Sequence, residues 1–285
     1  MILKISNPNS ISFISDWIEL YIATKKEFIS KAKLTKLIEK DTGEEPRETF
    51  ICDVWNELYY RTKLYNICPF QISDSIIEFN PNVLQNNIYL ACLIIAIFGV
   101  ENGSKDTSKV FERVVCNAAK HYLSGDGVVF GWPVTDMENI SIKDRIIELS
   151  MKLNERYVES PPAKYKDRGV DVVAWKPFSE KVLRRPSQVV LLLQCAAGQD
   201  WRSKTGELPI HAWEQYIHWS CNPIKAFAIP HIISKKDWHE ISKEGGILFD
   251  RIRIVNLISN SNIDMILDNE LSRWIDRKLK EYEIC

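Results

Sequence analysis

The sequence predicts a mixed α/β fold: an N-terminal helical region, then a core in which helices flank a mixed central sheet. Three observations carry this. Apolar residues recur at helical spacing through the first hundred residues. Beyond about residue 106, helical stretches alternate with short β-branched runs. One of those runs, Gln188–Cys195, is nearly all apolar, the composition of a central strand buried on both faces.

In the first region, Phe13, Ile14, Trp17, Ile18, Tyr21, Ile22 and Phe28 mark a helix over 12–30. A polar stretch with Gly43 and Pro46 follows, and Val54, Trp55, Leu58 and Tyr59 mark a second helix over 50–64, before Cys68-Pro69-Phe70 breaks the rhythm. Residues 87–98 are apolar all round, which places that helix deep in the region. The run Gly103–Ser108 is rich in turn formers and sets the expected boundary, with a helical region over 1–105 and a second domain over 106–285.

In the second region, Phe111, Val114, Val115, Ala118 and Tyr122 form one stripe of a helix over 109–123. Residues 128–132 read as a strand, 140–157 as an amphipathic helix ended by Pro161-Pro162, and 170–175 as a β-branched strand. Residues 209–219 read as a helix with proline near its start, 226–233 and 247–258 as strands, and 264–282 as a charged closing helix.

Composition narrows the function classes. Hydrophobic residues make up 45% and charged residues 26%, the balance of a soluble globular chain. The longest apolar run, 89–100, is too short to span a bilayer, and no secretory pattern opens the chain, so a cytoplasmic protein without a membrane partner is expected. Seven cysteines, an odd number with no CxxC spacing, fit reduced thiols better than a disulfide framework or a zinc site. A net charge of −1 argues against a protein that coats nucleic acid, but it leaves room for a local basic rim that acidic residues elsewhere offset in the total.

The chemistry-bearing residues are Val110-Phe111-Glu112 near the start of the helix, Gly169-Val170-Asp171-Val172-Val173-Ala174-Trp175, and Leu193-Gln194-Cys195-Ala196. In this order, over roughly the last 175 residues, they resemble the PD-(D/E)XK, or restriction-endonuclease-like, superfamily and its Mrr-like branch. That resemblance implies Mg2+-dependent hydrolysis of DNA, with Mn2+ as a substitute, because Mg2+ prefers hard oxygen ligands and relieves charge on a phosphate. It implies Asp171, Gln194 and Glu112 as metal ligands, Gln194 standing for the usual acid. It also implies a lysine two positions after Gln194, where this chain has Ala196. Lys204, in the stretch Gly198–Lys204, and Lys176, at the exit of the Asp171 strand, are the candidates to replace it, with Lys204 preferred.

Each residue has a plainer reading. Asp171 alone is a strand-entry residue, Gln194 a buried amide satisfied by a neighbouring strand, Glu112 a helix residue with a local partner, and both lysines solvated. Lys181, Arg184 and Arg185, between the two motif strands, suit a phosphate backbone or a solvated turn. Trp201 suits stacking on bases, whereas Trp213 at helical spacing reads as core. A thiol enzyme built on Cys195 with His211 or His218 requires an electropositive, partly open setting that an apolar strand does not offer.

The expected protein is therefore a Mg2+-dependent DNA endonuclease, by analogy a component of a prokaryotic restriction or antiphage defence system with other subunits as partners. The alternative is an inactive nuclease fold serving as a nucleic-acid-binding or assembly subunit. The position of a lysine ammonium relative to Asp171 and Gln194 discriminates the two.

Overall fold

Serine side chains set where the first two helices begin. In the computed structural model, which describes residues 5–83, 86–99, 105–131, 141–162, 167–179, 186–258 and 263–282, Ser10 accepts from the Phe13 N–H and starts α1 (Ile11–Lys25). Strand β1 (Ile29–Ser30) leads into α2 (Lys31–Thr42), which Ser30 caps and which ends at Gly43 with φ 78°. Helix α3 (Glu48–Thr62), strands β2 (Phe70–Ile72) and β3 (Ile76–Phe79), and α4 (Asn87–Phe98), capped by Asn86, follow. The three strands form a small antiparallel sheet in the order β1-β3-β2. That sheet and α2 are additions to the expected, mostly helical region. The strands are only two to four residues long, too short for an alternating pattern to register.

The next elements are α5 (Lys105–Leu123), β4 (Asp126–Val129), α6 (Ile142–Leu153), β5 (Arg156–Tyr157), β6 (Val172–Lys176) and β7 (Val189–Cys195). Then come α7 (Ile210–Trp213), β8 (Ile217–His218), β9 (Ile224–Ala228), α8 (Trp238–Gly245), β10 (Ile247–Phe249), α9 (Arg251–Ile258) and α10 (Met265–Glu281). The chain divides into two compact units rather than at a single cut near 105. One comprises Met1–Asn102, Pro230–Ile232 and Arg251–Cys285, and the other Gly103–Ile229 and Ile233–Asp250.

The second unit is built on a five-stranded mixed sheet in the order β10-β9-β7-β6-β4. Strands β6 and β7 are adjacent and antiparallel, with Val172 opposite Leu193 and Lys176 opposite Val189. Strand β4 pairs antiparallel with β6, whereas β7, β9 and β10 run parallel. Val173, Trp175, Val190 and Leu192 join Ile146, Leu149, Trp213 and Tyr216 in one core. The alternate positions Val172, Ala174, Leu191 and Leu193, all buried, turn to the other face. Helix α5 covers that face, packing on β4, β6 and β7.

Two expected elements change character. Of 247–258 only Ile247–Phe249 is strand, and α9 begins at Arg251. Its Ile252, Val255 and Ile258 recur every three residues and are buried, a helical stripe hidden in a β-branched run. Of 209–219 only Ile210–Trp213 is helix, because Ile217–His218 pairs with Arg156–Tyr157. The expected strand over 128–132 begins earlier, at Asp126, and that over 226–233 is Ile224–Ala228. Among the described residues, no helix is long and apolar enough to cross a membrane.

The first unit buries a set of charges that helical rhythm alone does not reveal. Arg61 Nη1 donates to Asp16 Oδ1 at 2.6 Å and Glu19 Oε1 at 2.7 Å. Arg251 Nη2 donates to the same Asp16 oxygen at 2.6 Å, and the hydroxyls of Tyr65 and Tyr89 donate to Glu19 Oε2. All four charged residues are 0–3% exposed. Burial pushes the Asp16 carboxyl up, but Arg251 and Arg61 outweigh it and hold the group at about 2, below its ordinary 3.8. Since the folded value is the depressed one, this contribution is fully present above 3.8 and is lost as pH falls through about 2. Asp16→Ala leaves two buried guanidiniums short of an acceptor, and we expect it to cost about 3–5 kcal/mol of unfolding free energy. Urea denaturation at neutral pH checks this. A midpoint unchanged from wild type would show that the network contributes nothing to stability.

Candidate active site

Helix α5 carries Lys109 and Glu112 one turn apart. Val110, Phe111, Val114, Val115 and Ala118 bury its apolar stripe, and Glu112 lies at the edge of that stripe, 5% exposed. Asp171 arrives by a tight turn. The Asp167 side chain accepts from the Gly169 N–H at 3.0 Å, and Val170 N–H donates to the Asp167 carbonyl at 3.1 Å. Arg168 and Gly169 both take the left-handed conformation, with φ 52° and 78°. Glycine adopts it without penalty, whereas Arg168 is held there with its Nε donating to the Tyr216 hydroxyl at 3.0 Å.

The turn ends with Asp171 fixed on every side. Its N–H donates to Leu193 O, and its carbonyl accepts from Phe130 N–H at 2.6 Å and Gly131 N–H at 2.9 Å. Its Oδ2 accepts from the Cys195 N–H at 2.7 Å. The other carboxylate oxygen meets Glu112 at Gly131. A Cβ placed there would lie 2.9 Å from Glu112 Oε2 and 3.0 Å from Asp171 Oδ1. Only glycine leaves that cradle open.

Two cations close the group. Lys109 Nζ lies 2.8 and 3.1 Å from the two Glu112 oxygens and 3.0 Å from the Gly131 carbonyl. Arg145 donates to the Gly131 carbonyl at 3.4 Å and to Val129 O at 3.0 Å, with its guanidinium over the Phe130 ring. Burial still pushes the Glu112 carboxyl up, against the pull of Lys109. Burial and then the neighbouring Glu112 push Asp171 to about 8, against the Cys195 N–H that favours its charge. Asp167 adds to the repulsion on both. Crowding thus disfavours charge on both carboxyls, and it falls hardest on Asp171, which among the described residues has no cation of its own.

Of the residues singled out from sequence, Glu112 and Asp171 are brought together. Gln194 sits beside Asp171 across the strand pair, but its Nε2 donates to Glu207 Oε2 at 3.2 Å. Among the described residues, none donates to its buried Oε1. Neither candidate lysine reaches the pair. Lys176 lies at the opposite end of β6 and donates to Ser124 O, because its strand runs away from Asp171. Lys204 is half-buried and pairs with Asp200 at 3.5 Å. Lys181, Arg184 and Arg185 lie outside the described residues. Trp201 is 6% exposed and packs with Ala196, Phe227 and Ile229, a core position that offers no face for a base. The Cys195 thiol is pushed well above its ordinary value by burial and by Asp171 and Glu112, the opposite of the lowered value that a nucleophilic thiolate needs.

The residues missed from sequence are Lys109, Gly131, Arg145 and Glu207. The spacing of Lys109 to Glu112 was visible as an i,i+3 pair. The others come from separate elements that only the fold assembles. Among the described residues, no group of three or more His, Cys, Asp and Glu side chains is placed to hold a metal ion. The two carboxylates facing the glycine cradle do fit Mg2+, which protein sites often bind through one or two carboxylates, with waters and substrate phosphate completing the shell. Comparison of the chain with protein-family models, curated proteins and solved structures finds no match.

The raised Asp171 value has a definite sign. Between 3.8 and about 8 the folded state holds a proton that the unfolded chain has released, so stability falls as pH rises across that window. Asp171→Asn removes the slope, and its unfolding midpoint should overtake that of wild type as pH approaches 8. Parallel pH dependences in urea for the two proteins would count against a strained carboxyl pair. Gly131→Ala should displace the Glu112 carboxylate while leaving the sheet intact, and should weaken Mn2+ binding measured by calorimetry.

Proposed function

We propose that this chain is a Mg2+-dependent phosphodiesterase acting on DNA, of the PD-(D/E)XK kind that its motifs resemble. The observation that carries the reading is the convergence of Glu112 and Asp171 on the open cradle at Gly131. Two carboxylates held this close repel each other, and a divalent cation relieves the repulsion. Mg2+ bound there would offset negative charge on a phosphate and make a water more acidic.

The chain's own groups organise this arrangement. The N–H groups of Phe130, Gly131 and Cys195 hold Asp171, so its Oδ1 is presented without reorganisation. The two carboxylates take different parts. Glu112 is paired with an ammonium, and Asp171 has a backbone donor on Oδ2. The order of motif residues along the chain supports the endonuclease assignment, and the same resemblance supplies the setting we propose, a prokaryotic restriction or antiphage system with partner subunits.

One observation favours the alternative of an inactive fold that binds nucleic acid or assembles a complex. Ala196, just past the end of β7, is buried in the core with Trp201 and Phe227, so no charged side chain stands at that position.

Incubating supercoiled plasmid with the purified chain in millimolar Mg2+ or Mn2+ separates the readings. Nicked or linear product is expected, chelator should prevent it, and Asp171→Asn and Glu112→Gln should each abolish it while unfolding like folded proteins. Plasmid that is bound but left intact, with and without partner subunits, would establish the inactive reading.

A further inference from the structure

We propose that Lys109 is the lysine of this site, supplied by helix α5 because Ala196, just past the end of strand β7, stands where a lysine would otherwise be. This rests on the reading of Glu112 and Asp171 as a phosphodiesterase's metal ligands.

Lys109 is 8% exposed, and its Nζ touches one of the two carboxylates directly. Burying an ammonium costs several kcal/mol in desolvation, and a buried ion pair is commonly no more stabilising than well-packed apolar side chains. Stability therefore gives no reason for a charged residue here, beside Val110 and Phe111. A buried cation in a cluster of perturbed carboxyls is better explained by chemistry.

The hydrogen bonding shows how the ammonium would act. It has three N–H groups and three acceptors: both Glu112 oxygens and the Gly131 carbonyl. The Gly131 carbonyl also accepts from Arg145. Lys109 can thus redirect one N–H to an arriving phosphate oxygen while Arg145 keeps that carbonyl satisfied, so no buried acceptor is orphaned. Lys109 forms no covalent bond to substrate and gives up no proton. It acts by its charge, which stabilises the negative charge on the phosphate oxygens as water adds to phosphorus and the leaving oxygen departs. In the metal-free protein the same charge offsets Glu112, so the ammonium competes with a divalent ion for that carboxylate.

The test compares wild type with Lys109→Met, Lys109→Gln and Lys109→Arg. Mn2+ binding is read by calorimetry and plasmid cleavage by gel. The glutamine variant keeps N–H donors for Glu112 and Gly131, so it serves if the methionine variant does not fold. The neutral variants should bind Mn2+ at least as tightly as wild type, because a competing cation has left Glu112. They should cleave roughly 10²–10³-fold more slowly, and Lys109→Arg should recover part of that loss. An unchanged rate in Lys109→Gln overturns the proposal and leaves the nuclease reading intact. Loss of Mn2+ binding together with cleavage also overturns it, since Lys109 would then only shape the ligands. A wild type that binds no Mn2+ and cleaves nothing removes the nuclease reading, and the role of Lys109 with it.

Discussion

Asp171 is the point on which the second unit's sheet and its site both depend. Its backbone joins β6 to its neighbours on either side, donating to Leu193 and accepting from Phe130 and Gly131. Its side chain then takes the Cys195 N–H. These bonds satisfy backbone groups at a strand end, where a ladder usually leaves them to water. The cost is a carboxyl brought out of water beside Glu112, and the left-handed Arg168–Gly169 turn is the device that delivers it. Strain and crowding of this kind cluster where a protein does chemistry.

The two units bury charge in opposite ways. In the first, Asp16, Glu19, Arg61 and Arg251 balance two against two and are sealed at 0–3% exposure. Tyrosine hydroxyls occupy acceptor positions on Glu19, and the network ties helix α1 to Arg251, 235 residues further along the chain. Low dielectric strengthens such a satisfied cluster, whose role is to join the two ends of a unit assembled from distant segments. In the second, Glu112, Asp171 and Asp167 face Lys109 and Arg145, the acids crowd one another, and Asp171 retains surface exposure. A closed, neutral cluster stabilises. An open, crowded one has electrostatic free energy that a cation can release.

The same contrast explains which side chains are informative. Trp201 and Trp213 both pack in cores, although only Trp213 had the spacing that announces it. Lys176 and Lys204, near the motif in sequence, are engaged elsewhere. Nearness along a strand is misleading because each residue advances the chain by more than 3 Å, so the five residues from Asp171 to Lys176 carry the lysine to the far end of the sheet. One turn of helix keeps Lys109 and Glu112 together over three residues.

By itself the sequence determined whatever depends on local periodicity. The helix over 109–123 with Glu112 at the edge of its stripe, the strands around Val172 and Leu193, and the glycine before Asp171 could all be read from side-chain order and backbone preference. It was ambiguous where two periods fit one run, as at 247–258, where three strand residues pass into a helix. Tertiary structure alone decided which charges meet. Gly131, Arg145 and Glu207 come from separate segments with no shared spacing, and Asp16 pairs with Arg251 across almost the whole chain. Such partners are chosen by the desolvation of charge in a packed interior, which depends on what surrounds a residue in space and leaves no mark on its neighbours in sequence.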